Sequence, residues 1–287
     1  MAYTTLISVQ DLEPHLEDPD WLIVDCRFDL DQPDWSHTAY LEAHIPGAVF
    51  VDLDRDLTAP MDGTNGRHPL LPVQSLSELF SRLGIDEGKQ VVAYDNAGGP
   101  FAARFWWCLR FLGHDAVAVL DGGIDAWNAK ELPLHAGVEN LVPSSFRAAP
   151  RNEMLVRVQQ VLASLEDVDV VLLDSRSPER YRGEEEPRDP VAGRIPGALN
   201  RYWGDNLDED GNFKPPEDLK SDFESRLAGF MSEQVIVYCG SGVTASHNLL
   251  ALEHAGLHGA RLYAGSWSEW CSDSSRPIAS GEPNEGS

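Results

Sequence analysis

The chain has 287 residues, of which 42% are hydrophobic and 9% are aromatic. This length suits two ordinary domains, and this composition excludes wholesale disorder because it supplies enough apolar side chains for normal cores. The formal net charge is −25. A surface of that sign repels phosphate backbones, which argues against nucleic acid as a partner. A site for a small anion must therefore gather its own basic residues.

Membrane insertion and secretion leave signals that this sequence does not show. A membrane-spanning helix needs about eighteen or more consecutive apolar residues, and no run approaches that length. We therefore expect no membrane partner. The N-terminus, Met1-Ala2-Tyr3-Thr4, opens with neither a basic stretch nor an apolar core. We therefore expect no signal peptide and a cytoplasmic location.

The four cysteines, Cys26, Cys108, Cys239 and Cys271, include no Cys-x-x-Cys pair. The histidines also show no clustering with metal-ligand spacing. We therefore expect reduced thiols and neither a metal nor a disulfide framework. One of the four is a candidate nucleophile, and its local sequence has to identify it.

The first half of the chain alternates between short apolar runs and amphipathic stretches. Apolar runs at Trp21–Asp25, Gln90–Asp95 and Ala116–Leu120 are typical of buried parallel strands. Helical patterns at Ser75–Leu83 and Phe101–Leu112 lie between them. Strands that alternate with helices predict a parallel sheet with helices on both faces.

The second half shows the same alternation in the same order. The predicted elements are a strand at Val168–Asp174, a helix at Leu219–Phe230, a strand at Gln234–Tyr238, a helix at Thr244–Ala255 and a strand at Ala260–Tyr263. The two halves therefore predict the same α/β fold class.

Four sequence motifs return at offsets between 143 and 150 residues. The matched pairs are Trp21–Arg27 with Val170–Arg176, His44–Ala48 with Arg194–Ala198, Val91–Asp95 with Val235–Cys239, and Gly122–Trp127 with Gly265–Trp270. A constant order and spacing of this kind indicates a duplicated domain. We predict a first domain at 1–135, a linker at 136–155 and a second domain at 156–287.

The loop after the strand that ends at Tyr238 carries the candidate nucleophile. It reads Cys239-Gly240-Ser241-Gly242-Val243-Thr244-Ala245 and runs into a helix. A thiol at this place faces backbone N–H groups and the positive end of a helix, and both stabilise a thiolate. Glycines let the backbone curl around the sulfur, and the Ser241 and Thr244 hydroxyls can add donors. Cys239 is therefore the predicted nucleophile.

This loop, the two Ile-Pro-Gly-Ala segments and the duplication resemble the two-domain rhodanese-type sulfurtransferases. The loop is most similar to that of the 3-mercaptopyruvate sulfurtransferases, because thiosulfate-preferring rhodaneses carry a basic pair where this chain has Gly240 and Ser241. The resemblance implies two tandem rhodanese-like domains, of which the first is inert and the second catalytic. It also implies that Gly240, Gly242, Val243 and Thr244 bind the substrate.

The first copy of the loop agrees with an inert domain. The position equivalent to Cys239 is Asp95, which cannot carry a transferable sulfur. Pro100 also removes one N–H donor from that loop. We expect the first domain to cover the active-site cleft, although a role as a packing partner alone stays open.

Basic residues gather between Arg176 and Arg201, where six arginines stand among five acids. Guanidinium groups bind carboxylates in bidentate fashion, which suits an α-keto acid. The resemblance implies two substrate-binding arginines, which map by position to Arg180 and Arg188. The spacing leaves Arg182 as an alternative to Arg180.

The resemblance also implies an acid and a histidine that act with the serine of the cysteine loop. They map to Asp54 and His68, with Ser241 as the serine. The alternative is that His68 belongs to an ordinary structural loop.

These observations predict a sulfurtransferase that moves sulfur from 3-mercaptopyruvate to a thiol or cyanide through a Cys239 persulfide and releases pyruvate. The reaction needs no cofactor. The acceptor would be a small thiol or a thioredoxin-like protein, and the donor a small anion. The main alternative is a thiosulfate sulfurtransferase. A cysteine phosphatase is excluded because Ala245 and Ser246 stand where its phosphate-binding arginine would be, and a non-catalytic sulfur-relay module is a further alternative.

Overall fold

The computed structural model describes residues 2–282. Contacts between residues divide this part of the chain into two compact units, each built on a five-stranded parallel sheet. The first unit comprises 2–59, 71–152 and 207–213, and the second comprises 60–70, 153–206 and 214–282. Among these described residues, none of the helices has the length and apolar character needed to cross a membrane.

The first unit orders its strands β1-β5-β4-β2-β3. The strands are β1 (Leu6–Ile7), β2 (Trp21–Asp25), β3 (Val49–Phe50), β4 (Gln90–Tyr94) and β5 (Val117–Leu120). The helices are α1 (Val9–Leu12), α2 (Trp35–Glu42), α3 (Leu53–Asp56), α4 (Val73–Arg82), α5 (Pro100–Phe111) and α6 (Gly123–Ala129), with a 3-10 helix at Glu13–His15. Every residue of β4 is buried, as its unbroken apolar pattern predicts for a central parallel strand.

The second unit repeats this order as β6-β10-β9-β7-β8. The strands are β6 (Leu155–Val156), β7 (Val171–Asp174), β8 (Leu199–Asn200), β9 (Val235–Tyr238) and β10 (Arg261–Tyr263). The helices are α7 (Val158–Ser164), α8 (Pro178–Arg182), α9 (Pro216–Leu227), α10 (Val243–His254) and α11 (Ser266–Trp270), with 3-10 helices at Asn152–Met154, Trp203–Asn206 and Ser232–Gln234. The identical strand order confirms the predicted α/β class and the duplication.

Equivalent buried ion pairs stand at the ends of β2 and β7. Arg27 Nη2 donates to Asp25 Oδ2 at 2.6 Å, and Arg176 Nη2 donates to Asp174 Oδ2 at 2.7 Å. All four residues are buried. Because each charge is held by its partner and by further hydrogen bonds, these arginines are structural, and Arg176 is not free to bind a substrate.

Tryptophans anchor both cores at equivalent places. Trp127 and Trp270 are fully buried. Each indole N–H donates to a proline carbonyl, at 3.0 Å to Pro133 and at 2.9 Å to Pro277. A buried indole with its polar atom satisfied stabilises a core without a desolvation penalty.

Some element ends differ from the prediction for local reasons. Helix α9 ends at Leu227, and not at Phe230, because Ala228 and Gly229 have φ angles of 52° and 98°. Strand β7 begins at Val171, because the residues before it form a turn in which the Val170 N–H donates to the Asp167 carbonyl at 3.2 Å. The two-residue edge strands are too short to give a periodic pattern, so the sequence did not predict them.

The compact units are not continuous in sequence, unlike the predicted domains 1–135 and 156–287. Residues 60–70, which precede α4, belong to the second unit, and residues 207–213, which precede α9, belong to the first. The predicted linker belongs to the first unit as far as residue 152. Phe146 within it is buried, and its N–H donates to Ser81 Oγ at 3.0 Å.

Candidate functional site

The cysteine loop joins the end of β9 to the first turn of α10. Cys239 is buried, and its sulfur accepts a hydrogen bond from the Gly242 N–H at 3.1 Å. Its own N–H donates to Ser266 Oγ at 3.1 Å. Val243 and the half-buried Thr244 form the first turn of the helix. The Cys239 sulfur thus lies next to a backbone N–H group and the N-terminus of a helix. Such an environment stabilises a thiolate or a persulfide anion.

The two loop glycines are required for different reasons. Gly242 has a φ of 81°, and a Cβ there would lie 2.5 Å from the Ala264 carbonyl oxygen. Gly240 has no positive φ. A Cβ on Gly240 would instead lie 2.6 Å from Arg67 Nη2 and 3.3 Å from Arg180 Nη2. Gly240 therefore leaves room for two guanidinium groups next to the nucleophile.

The arginines between Arg176 and Arg201 differ in the groups that they contact. Arg180 lies beside Gly240, and its Nη2 donates to Glu186 Oε1 at 2.6 Å. Arg182 pairs instead with Glu184, with Nε to Oε1 at 2.8 Å. Of the two alternatives, the structure brings Arg180 to the loop. Arg188 is exposed, and its backbone N–H donates to Glu186 Oε1 at 3.1 Å. Its contact with substrate stays a prediction.

Arg67 is the residue that sequence analysis missed. Its Nε and Nη2 donate to the Asp189 carboxylate at 2.9 and 3.2 Å. Asp189 is buried and also lies 3.5 Å from Arg180 Nη2. Asp189 therefore orients Arg67 and also contacts Arg180, which Glu186 holds more closely. The only signal in the sequence was the position of Arg67 directly before His68.

His68 and Ser241 are brought together as predicted from the resemblance. His68 Nδ1 and Ser241 Oγ lie 2.7 Å apart, and both residues are buried. Asp54 belongs to the first unit, where it is exposed on α3 and its N–H donates to Asp52 Oδ1 at 2.8 Å. A catalytic role for Asp54 stays a prediction.

The equivalent loop of the first unit already holds an anionic side chain. The fully buried Asp95 carboxylate accepts four backbone N–H groups at 2.8 to 3.0 Å. They belong to Ala97, Gly99, Phe101 and Ala102. Burial nevertheless raises the pKa of Asp95, so the hydrogen bonds offset only part of the desolvation. This loop therefore binds its own carboxylate and has no sulfur to transfer.

Comparison with known protein families identifies the domain type of both units. The family model for the rhodanese-like domain matches residues 8–130 and 157–273. The chain belongs to the rhodanese family. Both copies that the repeats predicted are thus rhodanese-like domains, and the predicted resemblance is confirmed at the level of the family.

The rhodanese relatives cover nearly the whole chain. A Pseudomonas aeruginosa protein named "Probable 3-mercaptopyruvate sulfurtransferase" is 47% identical over 98% of this chain and 100% of its own length. SseB of Mycobacterium tuberculosis, provisionally named a thiosulfate sulfurtransferase, is 40% identical over 90% of each chain. The crystal structure of SseA from Escherichia coli, a 3-mercaptopyruvate sulfotransferase, aligns with a TM-score of 0.80 and 32% identity over 92% of this chain and 99% of that chain.

The other three thiols of this rhodanese are poor nucleophiles. Burial raises the pKa of Cys108, and burial with the charge of Asp25 raises that of Cys26. Burial with the charge of Asp189 raises the pKa of Cys271 to about 11. At neutral pH only about one Cys271 in 10,000 would be a thiolate. Cys239 is the remaining candidate.

Proposed function

We propose that this rhodanese transfers sulfur from 3-mercaptopyruvate to a thiol or cyanide acceptor through a persulfide on Cys239. The observation that carries the proposal is the Cys239 sulfur at the N-terminus of α10, with the Gly242 N–H 3.1 Å away and the Arg180 guanidinium beside Gly240. Relatives named as 3-mercaptopyruvate sulfurtransferases support the same donor.

The reaction proceeds in two displacements at sulfur. The Cys239 thiolate attacks the sulfur of 3-mercaptopyruvate, an S–S bond forms, and the C–S bond electrons leave on carbon as the enolate of pyruvate. Protonation of that enolate gives pyruvate. An acceptor thiolate or cyanide then attacks the outer sulfur, and the electrons of the S–S bond return to Cys239. Covalent storage of the sulfur predicts ping-pong kinetics.

The residues around the loop divide the remaining tasks. Arg180 and Arg188 hold the carboxylate and keto group of the donor, and the loop N–H groups stabilise the persulfide anion. The Ser241–His68 pair, with Asp54, moves the protons that the donor thiol and the enolate exchange. The reaction uses no cofactor in this scheme.

The acceptor is a thiol, either a small one or that of a thioredoxin-like protein, and the protein works in the cytoplasm. All four cysteines are free, which suits a reducing compartment. The strongly negative chain disfavours nucleic acid and anionic membrane surfaces as partners.

One observation favours thiosulfate as a second candidate donor. The loop itself carries no basic side chain, but the guanidinium groups of Arg67 and Arg180 both face Gly240. Two cations near the nucleophile could attract a compact dianion as well as a carboxylate. Their pairing with Asp189 and Glu186 limits that attraction, because the acids balance both charges.

A comparison of donors tests the proposed function. We expect kcat/KM with 3-mercaptopyruvate to exceed that with thiosulfate by about tenfold or more, because only the former offers a carboxylate for bidentate binding. Both assays would use the same thiol acceptor, and pyruvate and sulfite would be measured as the products. A wild-type preference for thiosulfate would assign the protein to the second candidate function.

Replacing Arg180 with alanine should chiefly impair the reaction with 3-mercaptopyruvate. We expect kcat/KM to fall, because a partly buried charge pair with the donor is lost. The loss of transition-state stabilisation should be roughly 2–4 kcal/mol. Arg182→Ala is the matched control, since this neighbour pairs with Glu184, and its kcat/KM should stay within about threefold. Equal losses in the two variants would refute the assignment of Arg180.

A further inference from the structure

We propose that the second unit binds a small dicarboxylate in a cavity lined by Arg194 and Arg226, away from the cysteine loop. The cavity has a volume of about 660 Å³, which lies within the range of about 300–1,000 Å³ that is usual for small-molecule sites. Of the described residues, those that line it include no member of the loop at 239–245. The inference therefore goes beyond the proposed function and does not rest on it.

The equivalent place in the first unit shows which chemical group this part of the fold binds. There the Glu139 carboxylate lies 3.4 Å from His44 Nε2 and 2.9 Å from His135 Nδ1, and it accepts the Gly47 N–H at 3.3 Å. The hydrogen bond from His135, with those from His44 and Gly47, lowers the pKa of Glu139. The segment that begins at His44 is therefore part of a carboxylate site.

The second unit keeps this arrangement and replaces the histidine with an arginine. Arg194 Nη1 donates to the Tyr181 carbonyl at 3.4 Å, and the guanidinium lies over the Tyr181 ring, 4.4 Å from its centroid. His44 contacts Tyr40 in the same way, with Nδ1 2.7 Å from the carbonyl oxygen and the two rings stacked at 4.3 Å. Arg194 thus stands where His44 meets a carboxylate, and it carries a permanent positive charge.

The carboxylate of the first unit has no counterpart in the repeat. An offset of 144 residues relates Pro133 to Pro277, whose carbonyls accept the indole N–H groups of the core tryptophans. The same offset relates Glu139 to Pro283, which lies outside the described residues and has no carboxylate. The second copy therefore has the donors of a carboxylate site without an acid at the matching position of the sequence.

Arg194 and a nearby backbone N–H group are available to a ligand. Arg194 is 6% exposed, and its Nη1 donates to two carbonyls, those of Tyr181 and Gly281. Among the described residues, Arg194 makes no ion pair, and the N–H of Gly197, the equivalent of Gly47, has no acceptor. A buried cation without a counter-charge is costly, so an anion that enters the cavity is bound more strongly than it would be at an exposed arginine.

The charges around the cavity favour a ligand with two negative groups. Of the two acids in the lining, Glu282 lies 3.5 Å from Arg182 Nε, and Asp205 is exposed. Arg226 is exposed on α9 and pairs with no acid in the part of the chain that the structure describes. Arg194 and Arg226 thus line one cavity with two unpaired guanidinium groups, and each can bind a carboxylate in bidentate fashion.

Titration with succinate, followed by NMR of the backbone amides, tests the site. We expect a saturable shift of the Gly197 amide, and succinamide, the uncharged analogue, should produce none. In Arg194→His at about pH 8, the Kd for succinate should rise at least about tenfold, because a neutral imidazole replaces the guanidinium. This variant should fold, since histidine is the residue at the equivalent position of the first unit.

Two further variants locate the ligand. Arg226→Ala should raise the Kd about three- to fivefold. Lys220→Ala is its matched control, because Lys220 is an exposed cation of the same helix that does not line the cavity, and its Kd should equal that of the wild type. Binding should also persist in Arg180→Ala, which separates the cavity from the proposed donor site.

The proposal would be overturned by the absence of a saturable shift at Gly197, or by an unchanged Kd in both Arg194→His and Arg226→Ala. Loss of succinate binding in Arg180→Ala, with wild-type binding in Arg226→Ala, would assign the ligand to the cysteine loop and would overturn it as well. If Arg194→His does not fold, an unchanged Kd in Arg226→Ala is sufficient to reject the site.

Discussion

Sulfur transfer should be abolished when Cys239 is replaced by serine, with a loss of at least about 10⁴-fold in turnover. An alcohol at this position has no accessible anion at neutral pH, so it can neither attack the donor sulfur nor store it. The fold should be retained, because serine is slightly smaller and can accept the same Gly242 N–H that now reaches the sulfur. Circular dichroism and the unfolding midpoint would verify retention of the fold.

Mass spectrometry of the loaded wild type identifies the residue that carries the sulfur. Incubation with donor and without acceptor should add one sulfur, about 32 Da, to the peptide that contains Cys239. Cys271→Ser provides the control, because its thiol pKa of about 11 keeps it protonated, and this variant should load normally. Sulfur found on Cys108 or Cys271 would contradict the assignment of the nucleophile.

The sequence predicted the features that depend on local pattern. The central strands and the long helices follow from apolar runs and helical spacing, and the duplication follows from four motifs repeated in one order. The sequence also predicted the cysteine loop, because a strand, two glycines and the start of a helix follow one another directly. The two edge strands of each sheet were not readable, since two residues carry no periodicity.

The sequence could not show which distant side chains meet at the site. Arg67 and Asp189 are 122 positions apart in the sequence, and residues 60–70 belong to the second unit although they lie in the first half of the chain. Six arginines between Arg176 and Arg201 looked equivalent, yet Arg176 is locked by Asp174 whereas Arg180 lies beside Gly240. Those distinctions depend on which acid each guanidinium group reaches, which is a property of the fold.

The Asp95 loop of the first unit explains why that copy was expected to be inert, and it also makes a prediction about stability. Asp95→Ala should lower the free energy of unfolding of the first unit by about 2–3 kcal/mol, because four buried N–H groups lose their acceptor. The loss is limited because burial already raises the pKa of this carboxyl, so removal of its charge returns part of the desolvation energy.

The Asp95→Ala variant should lose stability but keep its activity. Turnover per folded molecule should stay within a fewfold of the wild type, because the Asp95 loop contributes no group to the proposed reaction. Denaturant unfolding followed alongside sulfur transfer would measure both quantities.

Asp29→Ala is the matched control: the half-buried Asp29 carboxylate accepts two backbone N–H groups at 2.8 and 3.1 Å, and water can replace it at a cost below about 1 kcal/mol. Loss of turnover in Asp95→Ala with an unchanged free energy of unfolding would mean that the first unit takes part in the chemistry, because a purely structural carboxylate cannot be removed without weakening the loop that it holds.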